Sequence, residues 1–232
     1  MSNCRVEIKG DGEYPVLLIA PHCPEESQTF EISQTIAHNL NCFMVCNTGW
    51  DRSSYVDYLN DLADCNNLNH LLGDSVLQSE FLSPITRFVT KIKNEISDVV
   101  YIYIIHGMNF IGKPKPDVIL GCGGQDRNSM EPWRMESFAS SLLDTGLHVG
   151  EGAPNGKFAG RSRKNLNQLF NRKSKVWSRD RSIHSCQVEI DRTWRTSEVE
   201  SSIMTTALSE AIEKTVELGD MGFTKEIGLE LF

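Results

Sequence analysis

The stretch VVYIYIIHGM, residues 99–108, is apolar without a break until His106 and Gly107 end it. A run of β-branched and aromatic residues this short suits a strand covered on both faces of a sheet. Shorter runs of the same kind lie on either side of it, at Val16–Ala20 and at residues 42–46, 118–120, 147–149 and 186–190. Between them the apolar spacing is helical, at 29–40, 78–96, 132–143 and 198–218. Strands that alternate with helices of this length predict an α/β fold with a largely parallel sheet. Local signals agree. Pro132 follows Glu131 where a first helical turn is expected, Ser197 and Glu200 have capping-box spacing, and Gly219 and Gly222 suggest where the last helix stops.

The 232 residues read as one domain, 1–232, with no repeat, linker or low-complexity tract. One segment stands apart. Residues 150–185 are rich in Gly, Asn, Ser, Arg and Lys, a polar basic excursion in a chain whose 23 Lys and Arg face 31 Asp and Glu, for a net charge of −8. An acidic balance argues against nucleic acid as a partner, since that partner needs phosphates neutralised, and against an anionic membrane surface. No run approaches the roughly 20 apolar residues of a membrane span. The N-terminus lacks the basic and apolar regions of a secretory signal. Seven cysteines, an odd number without a CxxC pair, suit free thiols in a reducing compartment. The expectation is a cytoplasmic protein; the oligomeric state is not readable.

Two histidines follow strands directly. His22 ends the run in LLIAPHCPEES (17–27), with Glu25 and Glu26 three and four residues on. His106 ends the central run. The carboxyl ends of strands are where open α/β sheets bind ligands. Each residue has a plainer reading, a capped loop for the first and a hydrogen-bonded strand end for the second. Together with Glu25 or Glu26 they make the His₂Glu set of catalytic zinc sites, which leaves a position open for water. In SCQVEIDR (185–192), strand alternation puts Gln187, Glu189 and Asp191 on one face. A carboxylate inside a strand is costly if buried alone, so Glu189 either pairs with Arg192 or Arg195 or faces a polar site. There it has the place of the base that a metal-activated water needs.

The motifs APHCPEES, IIHGM and CQVEIDR, in this order, resemble the N-formylglutamate amidohydrolase family, within the wider set of zinc carboxypeptidase-like and aspartoacylase-like hydrolases. DVILGCGG (117–124) and GAPNGKFAG (152–160) are weaker matches, so the resemblance spans about residues 15 to 195. It implies a three-layer α/β/α fold with a mixed, largely parallel sheet (phosphorylase/hydrolase-like) and one Zn²⁺ per chain. The ligands would be His22, Glu25 (or Glu26) and His106, with Glu189 as general base and acid and Arg192 as the arginine after it. The family's Asp-x-Asn-Arg motif, whose Asn and Arg bind a substrate carboxylate, is matched by Asp64-Cys65-Asn66-Asn67, with Asn67 in place of arginine. An amide is a poor substitute for a bidentate guanidinium, so N-formylglutamate itself is not carried over. Arg161 or Arg163 stands nearest to compensate, beside Asn66 as a donor. The function implied is cleavage of an amide bond in a small N-acyl amino acid-like substrate, a carboxylate or amide. The alternatives are a carboxypeptidase- or esterase-like metallohydrolase, or a non-catalytic binding protein on the same scaffold.

Overall fold

The computed structural model describes residues 5–124, 127–152, 157–170 and 180–220. In chain order the strands are β1 (Val6–Lys9), β2 (Val16–Ala20), β3 (Phe43–Asn47), β4 (Val100–Met108), β5 (Val118–Gly121), β6 (Val149–Glu151) and β7 (Ile183–Asp191). They form one sheet in the order β1-β3-β2-β4-β7-β5-β6, with the central apolar run as its middle strand. β3, β2, β4 and β7 run parallel, β1 is antiparallel to β3 and β5 to β7, and β6 is parallel to β5. The sheet is therefore mixed with a parallel centre, as expected.

The period of two along β4 sorts its side chains to two cores. Tyr101, Tyr103 and Ile105 face one layer, built on α1 (Thr29–Asn39), α5 (Pro132–Asp144) and α6 (Glu198–Asp220). Ile102 and Ile104 face the other, built on α4 (Ser83–Glu95) and α2 (Leu68–Gly73). Pro132 opens α5 and Ser197 Oγ accepts the Glu200 N–H, as the local signals predict. α6 continues to Asp220, past Gly219, whereas Gly222 lies outside the described residues.

Several features depart from the sequence reading. β1 was not anticipated: it is a short edge strand with a single fully buried side chain, Val6, and no apolar run to betray it. The 78–96 helix begins earlier, at α3 (Ser75–Leu77), and passes through a π turn at Gln78–Leu82 before α4. Pro84, in the first turn of α4, has no N–H to return to a carbonyl four residues back, and the widened turn sits just ahead of it. The basic excursion is not wholly a solvated one: Leu166, Leu169 and Phe170 are buried in the second core. Of its basic residues, Arg172, Lys173, Lys175 and Arg179 lie outside the described residues.

His184, on β7, illustrates a histidine with a structural part. Only 3% exposed, it lies 5.8 Å from the Tyr101 ring and 3.9 Å from a Glu131 oxygen. Burial, with the Arg134 charge beside it, pushes its pKa down to about 4. The unfolded chain takes up this proton first as pH falls below about 6.5, so the contribution to stability is complete above that pH and disappears toward pH 4. Between pH 7 and pH 4.5 the protein should lose about 2–3 kcal/mol more than a His184→Gln variant, by urea unfolding at each pH. Equal losses in the two proteins would remove His184 from the account.

Candidate metal centre

β2 and β4 lie side by side where the strand order turns, with β3 on one side of the pair and β7 on the other. Such a switch point opens a crevice at the carboxyl ends of the strands. The Asn47 side-chain amide, at the end of β3, donates to the carbonyls of Pro21 and Trp50 at 2.8 Å each and fixes the chain as it leaves β2. His22 comes next. The N–H groups of Glu25 and Glu26 both bond to its carbonyl, at 3.1 and 3.0 Å, which winds the turn back over the histidine.

This turn decides between the two glutamates. Glu26 returns to the site: its Oε1 lies 3.2 Å from His22 Nδ1 and its Oε2 3.3 Å from His106 Nδ1. The Gly107 N–H donates to the same Oε2 at 2.8 Å. Glu25, the first choice on His-x-x-Glu spacing, is exposed and accepts from the Arg52 N–H instead. His22, Glu26 and His106 offer three ligand atoms, all within 4.8 Å of one another, and the two imidazoles are 4.9 Å apart between centroids. Ligands about 2.0–2.1 Å from a tetrahedral zinc are separated by roughly 3.3 Å. Each histidine nitrogen lies at about that separation from one of the two Glu26 oxygens, and the three donors lie close enough together to share one ion, so these residues fit the ion that the family resemblance implies.

The ring of His22 is oriented from behind, because its Nε2 lies 2.9 Å from Asp64 Oδ1. An Nε2–H held by a carboxylate would leave Nδ1 as the donor atom once a cation displaces its proton, the usual outer-shell support of a metal-bound imidazole. Burial opposes the charged ring, but the hydrogen bonds to Asp64 and Glu26 outweigh it and raise its pKa to about 9. Burial likewise opposes ionisation of Glu26, yet the charge and hydrogen bond of His106, with those of His22, hold its carboxyl well below the ordinary range. An arriving cation therefore displaces a proton from His22. Asp64→Asn keeps the shape and weakens this support. It is expected to lower Zn²⁺ affinity by about 10–100-fold in competition with a chromophoric chelator; unchanged affinity would detach Asp64 from the site.

Glu189 is the next residue across the sheet. β4 and β7 pair in register with His106 opposite Glu189, so the two side chains project together from one face. Burial raises the Glu189 carboxyl pKa; His106 offsets part of this and the Glu26 charge adds to it. Of the two alternatives left open by the sequence, pairing with Arg192 or Arg195 or facing a polar site, its hydrogen bond suits the second: Gln187 Nε2 donates to Oε1 at 2.6 Å. Gln187 in turn accepts from Asn165 Nδ2 at 2.8 Å. Arg192 is exposed at the start of a 3₁₀ turn, Arg192–Arg195.

Asn66 and Asn67 lie beside Asp64. Asn66 uses both its carbonyls on the Leu166 N–H, at 3.0 and 3.2 Å. Asn67 is spent on the fold: its side chain caps α2 by accepting the Asn69 N–H at 3.0 Å. Arg161 is half-buried in the segment that these bonds tie to the site, and its carbonyl accepts from Arg127 at 3.0 Å.

Arg195 is the residue that the sequence reading undervalued. Its buried guanidinium donates to three backbone carbonyls, those of Ser27 at 2.8 Å, Ile190 at 3.1 Å and Met108 at 3.3 Å. These follow or end the three segments that carry His22 and Glu26, Glu189, and His106. Gly107 lets the guanidinium in, since a Cβ there would overlap it. Spacing held no sign of this role, because bonds to carbonyls name no partner residue.

No family model matches the sequence, and no curated protein matches it. Solved structures do. A gene product of Agrobacterium tumefaciens aligns over 93% of this chain and 96% of its own, with a TM-score of 0.61 at 10% identity. An N-formylglutamate amidohydrolase from Ralstonia eutropha aligns over 94% and 98%, with a TM-score of 0.58 at 14% identity. A bacteriophage poly-gamma-glutamate hydrolase aligns over 94% and 93%, with a TM-score of 0.54 at 12% identity. Identity this low establishes a shared fold. Among the described residues no helix is long and apolar enough to cross a membrane.

Proposed function

We propose that the protein is a metal-dependent amidohydrolase that cleaves the amide C–N bond of a small N-acyl amino acid-like substrate in the cytoplasm. The observation that carries this reading is the row His22–Glu26–His106 with Glu189 beside it: three donors within reach of one ion, next to a buried carboxyl of raised pKa. Two of the fold relatives, an amidohydrolase and a poly-gamma-glutamate hydrolase by name, support it. One Zn²⁺ per chain would be held by His22, Glu26 and His106, where it would polarise the carbonyl and make water more acidic.

The chain's own residues do the rest. Glu189 takes a proton from the attacking water as the new carbon–oxygen bond forms. It then delivers that proton to the nitrogen as the carbon–nitrogen bond breaks, so a carboxylic acid and an amine leave and the glutamate is restored. Gln187, steadied by Asn165, keeps the carboxyl aimed through this exchange. Asn66 donates to the developing oxyanion, and Arg161 supplies the positive charge for a substrate carboxylate that Asn67 lacks.

The test is metal content by mass spectrometry of protein purified without chelator, followed by amine release from N-formyl, N-acetyl and longer N-acyl amino acids. Close to one zinc per chain and amine release that chelator abolishes are expected. A protein that takes up no ion on titration would leave a non-catalytic binding protein, the reading that the amide at Asn67 favours.

A further inference from the structure

The row that begins at the metal centre continues across the sheet. His106 on β4 faces Glu189 on β7, Glu189 faces Ile119 on β5, and Ile119 faces Gly150 on β6. Register partners project from the same face, so the row reads ligand, base, apolar wall, and a position without a side chain. At its far end lies a cavity of about 750 Å³, within the range of small-molecule sites, roughly 300–1,000 Å³. Ile119, Phe110, Ile111, Pro116, Val149 and Phe158 line it. The charged side chains at its edge include two that already have partners, Lys115 with Asp191 at 2.6 Å and His148 with Asp117 at 3.1 Å. Gly150 keeps it open: a Cβ there would lie 3.3 Å from Pro116 and 3.5 Å from Ile119.

We infer that this cavity takes an apolar group of the substrate, aliphatic or aromatic and joined close to the scissile amide, and that this group in place of an acidic side chain sets specificity. The inference rests on the amide-cleaving reading of the neighbouring site. Two observations combine in it. The residue at the resemblance's arginine position, Asn67, is consumed as a helix cap. The wall next to Glu189 is Ile119, only 5% exposed, with apolar neighbours beyond it. A group on either side of the amide has this chemistry, an acyl chain or an amino acid side chain, and the assay separates them.

Zinc-loaded protein is given N-octanoyl-glycine, N-formyl-phenylalanine and N-formylglutamate, and binding of octanoate and 3-phenylpropionate is followed by calorimetry. Burial of each methylene is worth about fourfold in affinity, so kcat/KM for one of the two apolar substrates should exceed that for N-formylglutamate by at least about 100-fold. Which of the two leads identifies the source of the apolar group. Gly150→Val fills the cavity from the edge strand, and Ile111→Asp places a charge on its 92% exposed rim. Each should weaken octanoate or phenylpropionate binding at least tenfold, with the melting temperature reporting that the variants are folded. Preference for N-formylglutamate with unaltered probe binding in both variants would overturn the inference and leave the hydrolase reading intact. Probe binding sensitive to both variants, without amine release from any substrate, would uphold the apolar site and remove the hydrolase reading. Absence of probe binding would overturn the inference.

Discussion

Glu189→Gln is expected to lower kcat for amide cleavage by about 10³-fold, within the 10²–10⁴ that a positioned general acid–base supplies. The amide is nearly isosteric with the carboxyl and still meets Gln187 across its 2.6 Å bond, so the sheet should not rearrange. What is lost is the proton. Because His22, Glu26 and His106 hold the ion without Glu189, zinc content should stay near one per chain, and KM should change far less than kcat. The pH profile gives a second reading. Burial raises the Glu189 pKa, so the acid limb of kcat/KM should lie above the ordinary carboxylate range and be absent from the residual activity of the variant. A Glu189→Gln protein with full activity would move the base to another residue.

The second large effect concerns the donors. His22→Ala or His106→Ala removes a ligand from the three-donor set, which should cost more than the 10–100-fold typical of an outer-shell partner. Zinc should fall from near one per chain to near zero in protein purified without chelator, and amide cleavage should vanish with it. Glu25→Ala is the control, because Glu25 is exposed and turned toward Arg52; its zinc content should be unchanged. The pair of results separates the two adjacent glutamates, and zinc lost on Glu25→Ala but kept on Glu26→Ala would reverse their assignment. Thermal unfolding with and without zinc adds a measure that needs no substrate: at a free zinc concentration about 100 times Kd, the native state gains about 2.7 kcal/mol, and the histidine variants should not show it.

Much of the fold was legible because its strong signals are local. The run at 99–105 has no other economical reading than a buried strand, each helix of the first layer carries its own spacing, and α5 and α6 carry start signals as well. The elements that escaped have little local signal. β1 is made by pairing with β3, and α2 follows from a cap, Asn67, which the sequence reading noted only as standing in place of an arginine. The histidines were legible because each closes an apolar run at a strand end. The choice between Glu25 and Glu26 was not, because it depends on a turn in which both N–H groups reach back to the His22 carbonyl. Asp64 lay within a motif that had been read for its other members. Arg192, which the resemblance names as the arginine after the base, is exposed where the chain leaves β7, and Arg195, one turn on, donates to the carbonyl of Ile190.

That guanidinium has a consequence for what substitution can change. All three of its bonds end on main-chain oxygens, at residues 27, 108 and 190, so the fastening is indifferent to which side chains those positions carry. Drift in the loops alters what the crevice recognises without loosening the strand ends that hold the donors and the base. The floor of the site is fastened through a single residue, while its walls can be substituted one neighbour at a time.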